Sequence, residues 1–385
     1  MSHILSMQCY TDHVLERFFQ QMHSLQGQPI DMAKWTQYFA FDIIGELGFG
    51  DWFGSLDSAT DHEQLGHWVF LTLTGHAVLG WTWLGSLLIG FPPIQWLLNK
   101  SLYARAKKQL SKNPLKEVLT RIITKMGSET IDQRDNLVKH FKALKNPDGS
   151  EVHEREKMIE IANIVLAGAD TSTISLRAII YHISSNPRVY AKLQQEIDSA
   201  ADSNKLSPIT TFQEAQELQY FQLVVKEALR LYPAVGYQLP RLVPPGGATF
   251  GDVYIPSGTV LGTNGWALHR NAEIYGADCE EFRPERWDDK THDSNKMKLM
   301  EQCFGSFGFG SRTCLGKNLA MVEISRLIPT LFRDFDVEIC YPQNPWVVTS
   351  GWFAFSSEFH VRLSTRNRAP KELDTDGLKN VKAAR

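Results

Sequence analysis

A chain of 385 residues with 43% hydrophobic and 11% aromatic side chains can bury a sizeable core and is not composed like a disordered segment. Its 40 basic and 43 acidic side chains leave a net charge of −3, without the basic footprint that nucleic acid demands, so no nucleic-acid partner is expected. The five cysteines (Cys9, Cys279, Cys303, Cys314 and Cys340) are scattered, odd in number and form no CxxC pair, which argues against a disulfide framework and for a reducing compartment.

The opening MSHILSMQCYTDHVLERFF lacks the basic region and apolar core of a secretory leader. Leu15, Phe18, Phe19 and Met22 instead fall at helical spacing and predict an amphipathic helix already under way. Residues 1 to about 150 read as mostly helical, with Gly and Pro breaks. Within them, the run 65–99 carries no Asp, Glu, Lys or Arg and is long enough to span a bilayer. Its histidines, its glycines and the closing Pro92-Pro93 favour two apolar helices, lying over a pocket or touching a membrane surface. A transmembrane helix is the competing reading.

From Glu154 the pattern changes. REKMIEIANIVLAGADTSTISLRAIIYHISS predicts one long helix ending at Asn186-Pro187, and Asp170 is the only charge between 161 and 176. Such a helix belongs in the centre of a molecule. PRVYAKLQQEIDSA starts a second helix on Pro187. FQEAQELQYFQLVVKEALRLY predicts a third, ending before Pro233. A Gly/Pro-rich stretch with short β-type runs follows, then EEFRPERW, the loop FGFGSRTCLG, the helix GKNLAMVEISRLIPTLFRDF and a few short strands. One domain over 1–365 and a disordered charged tail over 366–385 are expected.

Cys314 in FGFGSRTCLG has several readings. A phosphate loop would end in Lys-Ser/Thr and follow a βαβ strand, and neither is present. A nucleophile would need a base and an orienting carboxylate, which no local pattern supplies. A single thiolate suits a metal already held by other donors, as in haem, where glycines let the backbone approach a flat macrocycle. Taken alone, a buried structural cysteine is the plainer reading. Glu227 and Arg230 share a helix face, and their plain reading is a surface ion pair. Thr171 next to Asp170 is a poor mid-helix residue, and its plain reading is a hydroxyl bonded back to a carbonyl one turn earlier.

Taken together, four stretches resemble the cytochrome P-450 superfamily. Phe307-x-x-Gly310-x-Arg312-x-Cys314-x-Gly316 resembles its haem-binding loop, AGADTS at 167–172 its oxygen-activating helix, Glu227-Ala-Leu-Arg230 its Glu-x-x-Arg helix and PERW at 284–287 its Pro-Glu-Arg segment. PRLVPPGGATFGDVYIPSGTVLGTNGWALHR is similar to filamentous-fungal, pisatin demethylase-like members. The resemblance implies a mainly α fold with small β-sheets, haem b (iron protoporphyrin IX) as cofactor and Cys314 as its axial iron ligand. It implies a haem-loop role for Phe307, Gly308 and Gly316, and propionate contacts for Arg312 and Arg241. Asp170 and Thr171 become a proton relay, with Gly168 letting the helix bulge or open a groove. Glu227, Arg230 and Arg286 become a buried structural triad. His269 is expected to be structural only.

Monooxygenation of a hydrophobic small molecule, with O2 and electrons from an NADPH-dependent reductase, is the implied activity. The implied location is the cytoplasmic surface of the endoplasmic reticulum membrane, with 65–99 as a possible peripheral contact. The family's anchor, first sheet and Trp-x-x-x-Arg helix are not found ahead of the matching region, and Trp35, Trp52 and Trp68 have no arginine four residues on. An N-terminally truncated chain is therefore expected, with an inactive or non-oxidative haem protein as the alternative. An integral membrane binding protein is a third class.

Overall fold

The structure is a computed structural model that describes residues 8–50, 53–60, 75, 137–290, 293–344 and 346–366. The uncharged run 65–99 lies outside the described residues except for Gly75, and so does the expected tail except for Arg366. Arg366 is ordered: its guanidinium makes two hydrogen bonds of 2.8 Å to the carboxylate of Asp198.

The first helix, α1 (Gln8–Ser24), buries Val14, Leu15, Phe18, Phe19 and Met22 on one face, as its periodicity predicts. Strand β1 (Pro29–Asp31) leads into α2 (Met32–Phe49), whose first turn is capped by the Asp31 carboxylate accepting from the Ala33 amide at 3.1 Å. Short helices α3 (Ser55–Ser58) and α4 (Leu137–Ala143) follow. The 31-residue α5 (Glu154–Ser184) runs through the core. Its Ile174, Leu176, Ile179, Ile180 and Ile183 are wholly shielded from solvent, each contributing about 1.5–3 kcal/mol of hydrophobic stabilisation. Where it ends, Asn186 Nδ2 donates to the His182 carbonyl at 2.7 Å and Pro187 begins α6 (Pro187–Asp202).

The third predicted helix is two: α7 (Phe212–Gln216) and α8 (Gln219–Leu231). The break has a physical cause. Thr211 and Glu214 close a capping box on α7, while the Glu196 carboxylate of α6 accepts from the amides of Tyr220 and Phe221 at 2.7 and 2.9 Å. A continuous helix would have spent those amides on its own carbonyls.

Strands β2 (Arg241–Leu242), β3 (Ala248–Phe250), β4 (Val253–Ile255) and β5 (Val260–Leu261) form two small antiparallel pairs, β2 with β5 and β3 with β4. Short helices α9 (Gly265–Leu268) and α10 (Ala272–Tyr275) and the helix α11 (Ser294–Gln302) lead to α12 (Lys317–Asp334). The chain closes with β6 (Phe335–Ile339), β7 (Val347–Ser350), β8 (Ala354–Ser357) and β9 (His360–Thr365). Strand β9 lies between β1 and β6, with Val361 paired to Ile30 and Leu363 to Val337, so alternate residues point into the core. Helix α5 packs on α2, α8 and α12 and thereby fixes where their functional residues meet.

Gly168 does not open α5. The helix is continuous through it, and a Cβ there would lie 2.5 Å from Ile44 Cδ1 of α2. Its missing side chain lets two helices approach, which corrects the expected bulge.

Candidate functional site

The loop that carries Cys314 is shaped by backbone hydrogen bonds. The Gly308 amide donates to the Gly305 carbonyl at 2.9 Å, and the Cys314 amide reaches back to the Phe307 carbonyl at 2.8 Å. Gly308 and Gly310 hold φ of 76° and 59°, the left-handed region in which a side chain is strained. The thiol of Cys314 is exposed, two residues ahead of the Gly316 N-cap of the 18-residue α12. Phe309 and Leu315 flank it with apolar side chains in the open, Leu315 at 100% exposure.

The loop is tied to the end of α8. A helix leaves its last carbonyls without intrahelical partners. In α8 the final three are taken by other segments: Leu229 O by the Ser306 hydroxyl at 2.8 Å, Arg230 O by His269 Nδ1 at 2.8 Å and Leu231 O by Arg270 Nη2 at 2.8 Å. His269 also accepts, at Nε2, from the Gly305 amide at 2.8 Å.

One turn back lies a fully buried charge cluster. Arg230 grips Glu227 with two parallel bonds, Nε to Oε2 and Nη2 to Oε1, both 2.8 Å. Arg286 Nε reaches Glu227 Oε1 at 3.2 Å, and the Trp287 indole donates to Oε2 at 2.8 Å. Arg230 also donates to the carbonyls of His269 and Cys279 at 2.6 and 2.7 Å. Two cations against one carboxylate would be unbalanced, and Asp278 supplies the second anion, 2.7 Å from Arg286 Nη1. Burial works against the Asp278 carboxylate, but Arg286 and Arg283 outweigh it and hold its pKa down at about 2. The surface ion pair expected from spacing alone is thus not what forms: Glu227, Arg230 and Arg286 are all 0% exposed.

On α5, Asp170 is buried and Thr171 half-buried. The Thr171 hydroxyl donates to the Ala167 carbonyl at 2.7 Å, the plain reading of a mid-helix threonine, and its lone pairs remain able to accept. Two turns on, Arg177 is buried against backbone carbonyls and the Thr36 hydroxyl. Burial pulls its pKa down to about 10, and Asp170 on the same helix resists that pull. Across from this stretch, Glu323 of α12 is 4% exposed, and neither of its carboxyl oxygens has a hydrogen-bond partner among the described residues. Burial raises its pKa to about 8, and the Ser172 hydroxyl of α5 stands near enough to oppose that rise slightly.

The sequence matches the cytochrome P450 family model over residues 1–358. The chain belongs to this family. It is 31% identical over 378 residues to cytochrome P450 monooxygenase cicH of Emericella nidulans, covering 96% of this chain and 73% of the relative. A pisatin demethylase of Fusarium vanettenii is 33% identical over 351 residues, covering 89% of this chain and 64% of that protein. Cytochrome P450 monooxygenase ACRTS1 of Alternaria alternata is 26% identical over 361 residues, covering 92% and 94%. The cytochrome P450 family is one of enzymes that use haem, O2 and electrons from a redox partner, and its relatives here are fungal monooxygenases. The mainly helical fold with small antiparallel sheets is the one the resemblance implies.

The residues of this P450 suit a haem. The donor set is a single exposed thiol; among the described residues no group of three His, Cys, Asp or Glu side chains could hold a bare ion. A Cβ on Gly316 would lie 3.8 Å from Cys314 Sγ, so glycine there leaves that side of the sulfur clear. Arg312 is exposed in the same turn, with no hydrogen bond among the described residues. Phe307 is half-buried with Lys317 Nζ 5.5 Å from its ring centre. Arg241 lies on the exposed β2, its guanidinium donating to the neighbouring Pro240 carbonyl at 2.8 Å rather than to the loop.

Sequence reasoning missed Trp287, Asp278, Glu323 and the reach of His269. Trp287 was in plain view beside Arg286. A lone carboxylate in the apolar run AMVEISRLI was a signal for Glu323, whereas nothing local marks Asp278.

Proposed function

We propose that this P450 is a haem-thiolate monooxygenase in which Cys314 is the axial ligand of haem b. It oxidises a hydrophobic small molecule of fungal secondary metabolism, with electrons from an NADPH-dependent reductase. The carrying observation is the exposed Cys314 thiol at the N-terminus of α12, in a glycine loop anchored to a buried charge cluster. Haem, when bound, supplies the binding and activation of dioxygen.

This chain's own residues do the rest. The glycine turns bring the backbone close to the sulfur, where amide N–H groups would tune its donor strength. Arg312 offers a cation to a propionate, with Arg241 a second candidate. Glu227, Arg230 and Arg286 hold the loop's platform. Asp170 and Thr171 form the proton relay, Thr171 accepting through the lone pairs left by its bond to Ala167. One relative is named for the demethylation of pisatin, and the hydrophobic substrate class is proposed here from family membership. The cytoplasmic surface of the endoplasmic reticulum, with peripheral contact through 65–99, is part of the same proposal and rests on family membership and on that uncharged run.

The test is spectroscopic. Purified full chain is loaded with haemin, reduced and exposed to carbon monoxide. The unsubstituted chain is expected to show the absorption of a thiolate-ligated complex, and Cys314→Ser to lose it. Haem uptake without that signature in the unsubstituted chain would overturn the reading and favour an inactive or non-oxidative haem protein.

A further inference from the structure

His269 lies between the buried cluster and the thiol loop, and its two ring nitrogens face partners whose roles are fixed. A backbone amide can only donate, so the contact of 2.8 Å from Gly305 N requires a bare lone pair on Nε2. A carbonyl can only accept, so the contact of 2.8 Å with Arg230 O requires the proton on Nδ1. One neutral tautomer satisfies both bonds. The other tautomer breaks both, and the imidazolium loses the one to Gly305.

The ring is locked in place. It is 0% exposed and stacks on Phe304, with centroids 5.6 Å apart and planes 11° from parallel, while Tyr275 meets it edge-on at 6.2 Å. Its own carbonyl accepts from Arg230 Nη1 at 2.6 Å, so cluster and imidazole are bound in both directions. Of the charged groups around it, Arg230 and Arg270 oppose protonation and Glu227 favours it.

From Gly305 the geometry passes on in short steps. Gly305 O holds the Gly308 amide, the Ser306 hydroxyl holds Leu229 O, and Phe307 O holds the Cys314 amide. We propose that His269 is a positioning residue of the thiol loop, its neutral Nδ1–H imidazole transmitting the placement of the Glu227–Arg230 cluster to Gly305 and thence to Cys314. This rests on the haem-thiolate reading above.

Two half-replacements separate the bonds. Asn places an amide N–H near the Nδ1 position and has nothing at Nε2, so His269→Asn keeps the tie to Arg230 and cuts the tie to the loop. Gln reaches the Nε2 position with an acceptor oxygen, so His269→Gln keeps the loop tie, and the bond from Arg230 Nη1 to the backbone carbonyl of residue 269 still joins it to the cluster. Haemin titration of each full chain is expected to show affinity about tenfold or more weaker for His269→Asn, with the thiolate signature diminished, and within about threefold of the unsubstituted chain for His269→Gln. Equal effects of the two substitutions, or unchanged binding by His269→Asn, would overturn the proposal.

A second measurement needs neither a variant nor haem. Nitrogen-15 spectra of the imidazoles in the unsubstituted chain are expected to show His269 protonated at Nδ1 only at neutral pH, and exchange of the Gly305 amide is expected to be strongly protected. A proton on Nε2 or an unprotected Gly305 amide sinks the idea. Because both readouts come from the haem-free chain, they distinguish failure of this proposal from failure of the cofactor assignment.

Discussion

Asp278 Oδ1 lies 2.7 Å from Arg286 Nη1, and this contact adds a second carboxylate to the buried triad while Arg283 Nε meets the other Asp278 oxygen at 2.5 Å. Removing one charge of such a set leaves another uncompensated, whereas the whole set stabilises little relative to an apolar core. Glu227→Gln, at a fully buried position, is expected to lower the unfolding free energy by roughly 3–5 kcal/mol. Asp278→Asn, at a side chain 27% exposed, is expected to lower it by only about 1–2 kcal/mol. Urea denaturation of both variants checks the order.

Asp278 also sets an acid limit. Its folded pKa of about 2 is below the ordinary aspartate value, so its contribution is present above about pH 4. It is lost as pH falls through about 2. Asp278→Asn is expected to flatten the stability profile across that window and, beyond the constant loss given above, to leave its slope unchanged between pH 6 and 8, as measured by thermal unfolding.

His269 gives a window at milder pH. Its folded pKa is lowered to about 4, by burial first and by Arg230 and Arg270 after the opposing hydrogen bond. The unfolded chain then binds more protons than the folded one between about pH 6.5 and 4, so stability falls as pH drops through that range. The loss expected from this group is roughly 3 kcal/mol at completion. His269→Gln should remove that slope, which pH-dependent urea titrations would show.

Glu323 has the opposite sign. Its folded pKa of about 8 exceeds the ordinary glutamate value, so its stabilisation is full below about pH 4.5 and declines as pH rises towards 8. A carboxyl that must stay protonated opposes stability at neutral pH. Glu323→Gln, which keeps shape and neutrality, is therefore expected to raise stability at pH 7.5 by about 2–4 kcal/mol and to change it little at pH 4.5. A variant no more stable than the parent at pH 7.5 would show that the carboxyl finds compensation in solution.

Gly308 tests the loop's backbone. At φ of 76° an added methyl is strained by about 1–2 kcal/mol, and the loop can relieve this only by changing shape. Gly308→Ala is expected to weaken haemin binding by a factor of roughly 5–30, with global unfolding little altered. Parallel haemin titration and thermal melts separate the two effects.

The sequence revealed those parts of the site whose physics is local. Glu227 and Arg230 share a helix face by spacing, and the glycines around Cys314 mark a turn that a side chain would strain. The long α5 announced itself by a run with a single charge. What stayed hidden came from partners distant in sequence. Asp278 looks like any loop aspartate until Arg286 is folded against it, and His269 looks inert until Gly305 arrives at its far nitrogen. Glu196 broke the expected third helix from another element altogether. Gly168 had a local signal with two meanings, and the neighbour Ile44 decided between them.

The end of α8 carries a consequence for folding. Three successive carbonyls, of Leu229, Arg230 and Leu231, are satisfied by Ser306, His269 and Arg270 respectively, so the helix terminus has no turn of its own to spare. Opening the thiol loop would strand Leu229 O and His269 Nε2, acceptors that water must then reach, at about 1 kcal/mol for each bond lost. Loop and helix end therefore open as one cooperative unit rather than fraying separately. A chain built this way couples the shape of its ligand-bearing turn directly to the helix that carries the buried charge cluster.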